Sequence, residues 1–239
     1  MRSVALFAAL VPLAVAAGPA SARPGAAGCA VAPLGSARLA YAAWATNGAV
    51  AYARPGGVEV ARFGPNNANG YPTVFGVLGT AAGRGCDGRW YRVQLPVEPN
   101  GTVGWVRARA VVVERVRTRI VVDLSERRLW LYRDGRLVLS APVGVGAPAT
   151  PTPAGRFYVD QRLVPADRSG PFGPAALGIS AFSPVLTWWP QGGPIAIHGT
   201  DEPGSIGRAR SNGCIRLRNA TLDRVFAAAG AGTPVLVRR

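Results

Sequence analysis

The chain has 239 residues, one histidine and three cysteines, and its 27 basic residues, all arginine, outweigh 12 acids to give a formal net charge of +15. Without lysine it cannot carry a phosphate-loop lysine, a Schiff-base lysine or a serine–lysine dyad. A single histidine with three scattered cysteines also falls short of a tetrahedral zinc set, so no metal and no cofactor is expected.

Residues 1–22 open with one arginine and an apolar run from Val4 to Ala17, followed by Ala20, Ser21 and Ala22 as small residues for cleavage. This is the anatomy of a secretory signal, which predicts a secreted, extracytoplasmic protein. The run has fourteen residues and contains Pro12, short of the roughly twenty apolar residues a membrane span needs, so no span is expected after cleavage. Residues 23–35 read as a linker. Within it, Cys29 of "AAGC" has two readings: lipid attachment, which its distance from the apolar run disfavours, or pairing with Cys86 in an oxidising compartment. Such a pair stabilises by roughly 2 to 4 kcal/mol. Cys214 is then left over, to be explained by burial as a small apolar residue or by nucleophilic chemistry.

No helix-turn-helix, zinc-finger or aromatic-basic pattern accompanies the arginines, so nucleic acid is not an expected partner. A secreted basic chain suits anionic wall polymers of a cell envelope. High Ala, Gly, Pro and Arg together with absent Lys are equally the mark of biased codon choice.

Residues 36–116 alternate short apolar stretches with turn signals, among them "VFGVLGT" and the pairs Asn69-Gly70 and Asn100-Gly101. Short strands joined by tight turns follow. In "WYRVQL", Trp90, Arg92 and Gln94 alternate with Tyr91, Val93 and Leu95, the period of a half-buried strand. The stretch from Trp90 to Gly104-Trp105-Val106 resembles a bacterial SH3-like barrel, which implies a small β domain that either binds the wall or merely spaces.

A second domain, 117–239, begins after "VERVRTR". Asp134-Gly135 lies between two apolar runs and predicts a two-residue hairpin, because both positions tolerate positive φ. Nine prolines fall between Ala147 and Pro194, a composition of loops that cover or bind. Trp188 and Trp189 lie in this stretch; Trp189 is the candidate for a substrate-facing side chain, against the plain alternative that both pack in the core. Near the end, Asn219 can cap a helix with an apolar stripe of Leu222, Val225 and Phe226, closed by Gly230. "TPVLVRR" reads as a last strand.

The chemistry concentrates in "IAIHGTDEPGSIGRARSNGCIRL", residues 195–217. Ile195 and Ile197 point one way along a strand, and Ala196 and His198 the other. Ser211, Asn212 and Gly213 form a turn from which Cys214 emerges, with Arg216 two residues on and on the same face. If the two stretches lie side by side, imidazole and thiol meet, and that pair is the minimum set for thiolate catalysis. The amides of Gly213 and Cys214 are candidates to hold an oxyanion.

His198-Gly199-Thr200 followed by Ser211-Asn212-Gly213-Cys214-Ile215-Arg216 resembles the signature of the L,D-transpeptidase catalytic domain family, and "TPTPAGRFYV" and "LGISAFS" are also similar to it. The resemblance covers residues 118–239 and departs at Asn212, where many members carry histidine. It implies a mainly β fold: a β-sandwich with one C-terminal helix, here behind the SH3-like barrel. It further implies peptidoglycan tetrapeptide stems as donor and acceptor, cross-linked between their third residues. Cys214 is then the nucleophile, His198 the base and acid, Arg216 an electrostatic and positioning group, and the Gly199 carbonyl the group that orients the histidine, with Asp201 as the carboxylate alternative. Ser211, Asn212, Gly213 and Trp189 fall to substrate and oxyanion binding. Two alternatives stay open: an L,D-carboxypeptidase using water at the same residues, and a non-catalytic wall-binding protein. A sortase-like transpeptidase shares the order His, Cys, Arg but with far wider spacing, and papain-like hydrolases reverse it.

Overall fold

The computed structural model describes residues 29–239; the leader expected over 1–22 and the first part of the expected linker lie outside them. The first eight strands are β1 (Ala30–Pro33), β2 (Ala40–Ala45), β3 (Ala49–Tyr52), β4 (Glu59–Phe63), β5 (Val74–Ala82), β6 (Trp90–Gln94), β7 (Val103–Arg107) and β8 (Val111–Val116). They form one antiparallel sheet along the path β4-β3-β7-β6-β5-β2-β8. β5 is long enough to pair with two short strands in succession on one edge, β2 at Val74–Gly76 and β1 at Gly79–Ala82. Residues 30–33 are therefore a strand of this sheet, where a linker was expected. The disulfide Cys29–Cys86 ties the start of that strand down.

β6 keeps the expected alternation at Arg92 and Val93 and breaks it at both ends, where Trp90 is buried beside Ala81 and Cys86 and Gln94 is buried as well. For Gln94 the cause is tertiary: its Nε2 donates to Arg156 O at 2.6 Å, and a buried amide needs such a partner. The core of this unit is Phe75, Val77, Val93, Leu95 and Val106, with alanines where strands approach closely.

After Arg117 the chain enters a second sheet of β9 (Thr118–Asp123), β10 (Arg128–Arg133), β11 (Arg136–Pro142), β13 (Gly155–Leu163), β14 (Ala176–Phe182), β15 (Pro194–His198), β17 (Ile215–Arg216) and β18 (Pro234–Arg238), in the order β11-β10-β9-β18-β13-β14-β15-β17. A separate parallel pair joins β12 (Val145–Gly146) to β16 (Ala209–Ser211). Asp134 and Gly135 take φ of 52° and 79°, the positive pair expected of the tight hairpin. β13 changes partner midway, pairing with β18 through Tyr158 and with β14 from Val159 onward. One apolar cluster consequently gathers residues from both halves of the sheet: Ile120 and Leu131 from one, Ile179, Ile197 and Ile215 from the other.

The fold is mainly β with a single α-helix among the described residues, α1 (Asn219–Ala228), which seals the cluster with Leu222 and Val225. Two local expectations change here. Asn219 is the first helical residue and makes no cap; its side chain accepts a hydrogen bond from Thr200 N–H at 2.8 Å instead. The helix ends at Ala228, before Gly230, and Phe226 is half-buried beneath the Arg162 guanidinium, 4.1 Å from its ring centre. The two sheets meet at Tyr158, buried with Ala42 and Val74, whose hydroxyl donates to Val74 O at 3.1 Å. No helix of the described residues is long and apolar enough to cross a membrane.

Candidate active site

β15 and β17 run parallel with Ile197 opposite Ile215 and His198 opposite Arg216. Because facing residues of paired strands share a side, the two isoleucines enter the core together, and His198 and Arg216 emerge together on the other face. Cys214, one residue before Ile215, continues the Arg216 side. Its thiol sits against the backbone of Ala196, two residues before His198 along β15. The register thus brings to one face the three side chains that the spacing had singled out.

His198 is 3% exposed. Its Nδ1 faces the Gly199 carbonyl at 2.5 Å; since a carbonyl only accepts, Nδ1 carries the proton and Nε2 keeps its lone pair. Burial is the main force on the ring and lowers its pKa to about 4, with Arg216 adding to the effect and the Gly199 carbonyl and Asp201 opposing it. Asp201 is exposed and makes no hydrogen bond to the ring. Phe172, from the loop between β13 and β14, packs edge-on against the imidazole with ring centres 5.0 Å apart. Cys214 is half-buried and free. Burial raises its thiol pKa, against the Ala196 backbone and Arg216, which lower it. Both groups are therefore uncharged at neutral pH.

The cysteine turn is held from several sides. Gly213 has φ of 112°, and a Cβ there would lie 2.9 Å from Ile195 Cδ1, so both backbone and packing demand glycine. Thr152, which is buried, accepts from Gly146 N–H at 2.9 Å and donates to Gly213 O at 2.7 Å. Thr150 donates to Ser211 O. The Ser211 hydroxyl donates to Cys214 O and accepts from Gly213 N–H at 3.2 Å. The Gly213 amide, a candidate oxyanion donor, is therefore occupied inside its own turn. Asn212 is exposed at the tip. Gly199 is closed to any side chain, since a Cβ would overlap Asn219 Oδ1 and crowd Pro174.

Arg216 donates to Glu202 Oε2 at 2.7 Å, while its Nε is buried without a partner. A buried unpaired donor is costly unless something fills it. Trp189 stands edge to face with Trp188, and its loop also reaches the loop between β4 and β5, where Gln191 Nε2 donates to Asn69 Oδ1. Among the described residues, no three His, Cys, Asp or Glu side chains gather where a metal ion could be held. Sequence reasoning assigned no site role to Phe172 and Thr152, which loops bring in, or to Asn219, which heads α1; the run "TPTPAGRFYV" around Thr152 was the one signal available.

Residues 117–237 match the YkuD family, the L,D-transpeptidase catalytic domain. A protein of Bacillus licheniformis that bears the name of an L,D-transpeptidase is 33% identical over 150 residues, covering 60% of this chain and 83% of its own length. The Escherichia coli relative YbiS, also named as an L,D-transpeptidase, is 29% identical over 162 residues. The match spans about half of that relative's length (49%). Among solved structures, the catalytic domain from the Enterococcus faecium L,D-transpeptidase is 30% identical, covering 50% of this chain and 95% of that one with a TM-score of 0.37.

Proposed function

The chain belongs to the L,D-transpeptidase catalytic domain family and is on that ground an L,D-transpeptidase; we propose that it works through Cys214 as nucleophile and His198 as base and acid on peptidoglycan tetrapeptide stems, outside the cytoplasm. The observation that carries this reading is the register of β15 on β17, which sets imidazole, thiol and guanidinium on one face.

The steps follow from the protonation states. His198 Nε2 takes the thiol proton as Cys214 Sγ attacks the carbonyl before the terminal D-alanine, forming the C–S bond. The negative charge that develops on the carbonyl oxygen falls to the Cys214 amide and to Arg216, whose buried Nε supports a substrate-facing role. As the C–N bond breaks, the imidazolium hands its proton to the departing D-alanine amine. An amine of a second stem then attacks the thioester, loses a proton to His198 and regenerates the thiol, leaving an amide cross-link. The Gly199 carbonyl keeps the imidazole in the tautomer that each step needs. The 36–116 unit is proposed as an SH3-like module that positions this site on the wall, with the basic surface toward anionic wall polymers.

Mass spectrometry of products from a disaccharide tetrapeptide, wild type beside Cys214→Ala, tests the reading. A dimer lighter by one alanine, absent from the variant, is the expected result. Shortened monomer alone would make water the acceptor, and no product from either protein would leave a wall-binding role in its place.

A further inference from the structure

The mechanism leaves unused a cleft of about 350 Å³ where the N-terminal sheet meets β13 and the β14–β15 loop. Its polar wall includes four linked carboxamides from three segments of the chain. Gln161 Oε1 accepts from Asn67 Nδ2 at 3.1 Å and from Asn69 Nδ2 at 2.9 Å, and Gln191 Nε2 donates to Asn69 Oδ1 at 2.9 Å. With its oxygen already used twice, Gln161 has its N–H groups to offer to the cleft.

Beside them stands Asp160, the extra residue where β13 bulges against β14 between Val159 and Gln161. Bulges of this kind re-aim a side chain. Asp160 Oδ1 is sealed from solvent and has no hydrogen-bond partner, and burial raises the carboxyl pKa to about 7 despite the nearby Asp160 and Gln161 amides. An acceptor held this way is a cost to the fold that a ligand's N–H or O–H would relieve.

The apolar part of the cleft comes from Phe63 and Phe182. The loop that delivers Gln191 also displays Trp188 and Trp189, which are 77% and 36% exposed and stand edge to face at 6.0 Å. Carboxamides, a lone carboxyl and exposed aromatic faces match a neutral ligand with hydroxyls, an amide and a flat C–H surface. One carboxyl cannot chelate a metal ion, and Arg62 on the same wall opposes a cation.

We propose that this cleft binds an N-acetylated sugar unit of a glycan chain. In that complex the carboxamides of Asn67, Asn69, Gln161 and Gln191 meet its hydroxyls, Asp160 its acetamido N–H, and the loop tryptophans its ring face. The site is independent of Cys214 and of any acyl transfer, so it stands or falls apart from the catalytic reading.

The test titrates the N-acetylglucosamine tetramer, which carries no peptide, into the full chain, followed by calorimetry and tryptophan emission. Saturable binding with an emission change is expected, unaltered in Cys214→Ala and weakened at least tenfold in both Asn69→Ala and Trp188→Ala. Those two positions are exposed, and matching thermal unfolding would verify that the variants fold. No saturable binding by the wild type, binding unchanged in both variants, or competition by a free diamino acid at the same site would each overturn the proposal.

Discussion

In the proposed mechanism His198 and Cys214 start as an uncharged pair, because the same burial acts oppositely on an imidazole and a thiol, lowering one pKa to about 4 and raising the other. The rate of acylation should accordingly hold steady down to about pH 5 and fall through about pH 4, as the base becomes protonated. Alkylation of Cys214 by iodoacetamide, which tracks thiolate alone, should instead keep rising past pH 9, beyond the ordinary thiol value of about 8.5. Replacing Phe172 with Ala wets the imidazole, and an NMR titration of His198 should then move toward the ordinary value of about 6.5. The depressed value also couples to stability. The folded state resists protonation that the unfolded chain accepts, so this contribution is intact above about pH 6.5 and lost as pH falls through about 4, roughly 3 kcal/mol in all. These residues were legible in the sequence because the only histidine and the odd cysteine sit at a short, distinctive spacing. Asn219 was legible only as a helix start, since its Thr200 partner belongs to a distant loop and propensity gives no sign of it.

Among the elements, the turn that carries Cys214 between β16 and β17 depends on a neighbouring loop. Thr152 satisfies one buried donor and one buried acceptor, Gly146 N–H and Gly213 O. Thr152→Val keeps the volume and strands both, each worth about 1–3 kcal/mol when buried. The expected result is a clear loss in denaturant midpoint and slower acylation of Cys214, with Thr152→Ser, which keeps the hydroxyl, close to wild type. Equal behaviour of the two variants would remove the brace from the account. Strand and hairpin signals carried β6, β10, β11, β15 and β18, whose alternation or turn chemistry is local. They could not carry the bulge at Asp160 or the burial of Gln94, because each is set by a strand from elsewhere in the chain. Asn100 makes the same point: chosen as a turn residue, it also exchanges two hydrogen bonds of 2.8 Å with the Phe182 backbone.

For the whole molecule, the division of labour among the cysteines matters most. Cys29–Cys86 closes a sequence separation of 57 residues within the N-terminal sheet, while Cys214 stays free in the other. In the loop-entropy treatment such a link contributes about 4 kcal/mol. Cys29→Ser with Cys86→Ser should lower the unfolding temperature of the N-terminal unit and leave the alkylation rate of Cys214 unchanged; a matching change in that rate would mean the two sheets are coupled more tightly than their shared contacts at Tyr158 imply.

Cys214 acylation is tested most directly by intact-protein mass spectrometry after a brief exposure to tetrapeptide stem and an acid quench. The expected result is an adduct equal to the stem minus its terminal alanine, mapped to the Cys214 peptide, slow to form in His198→Ala and absent in Cys214→Ala. An adduct on any other residue, or turnover by Cys214→Ala, would contradict it.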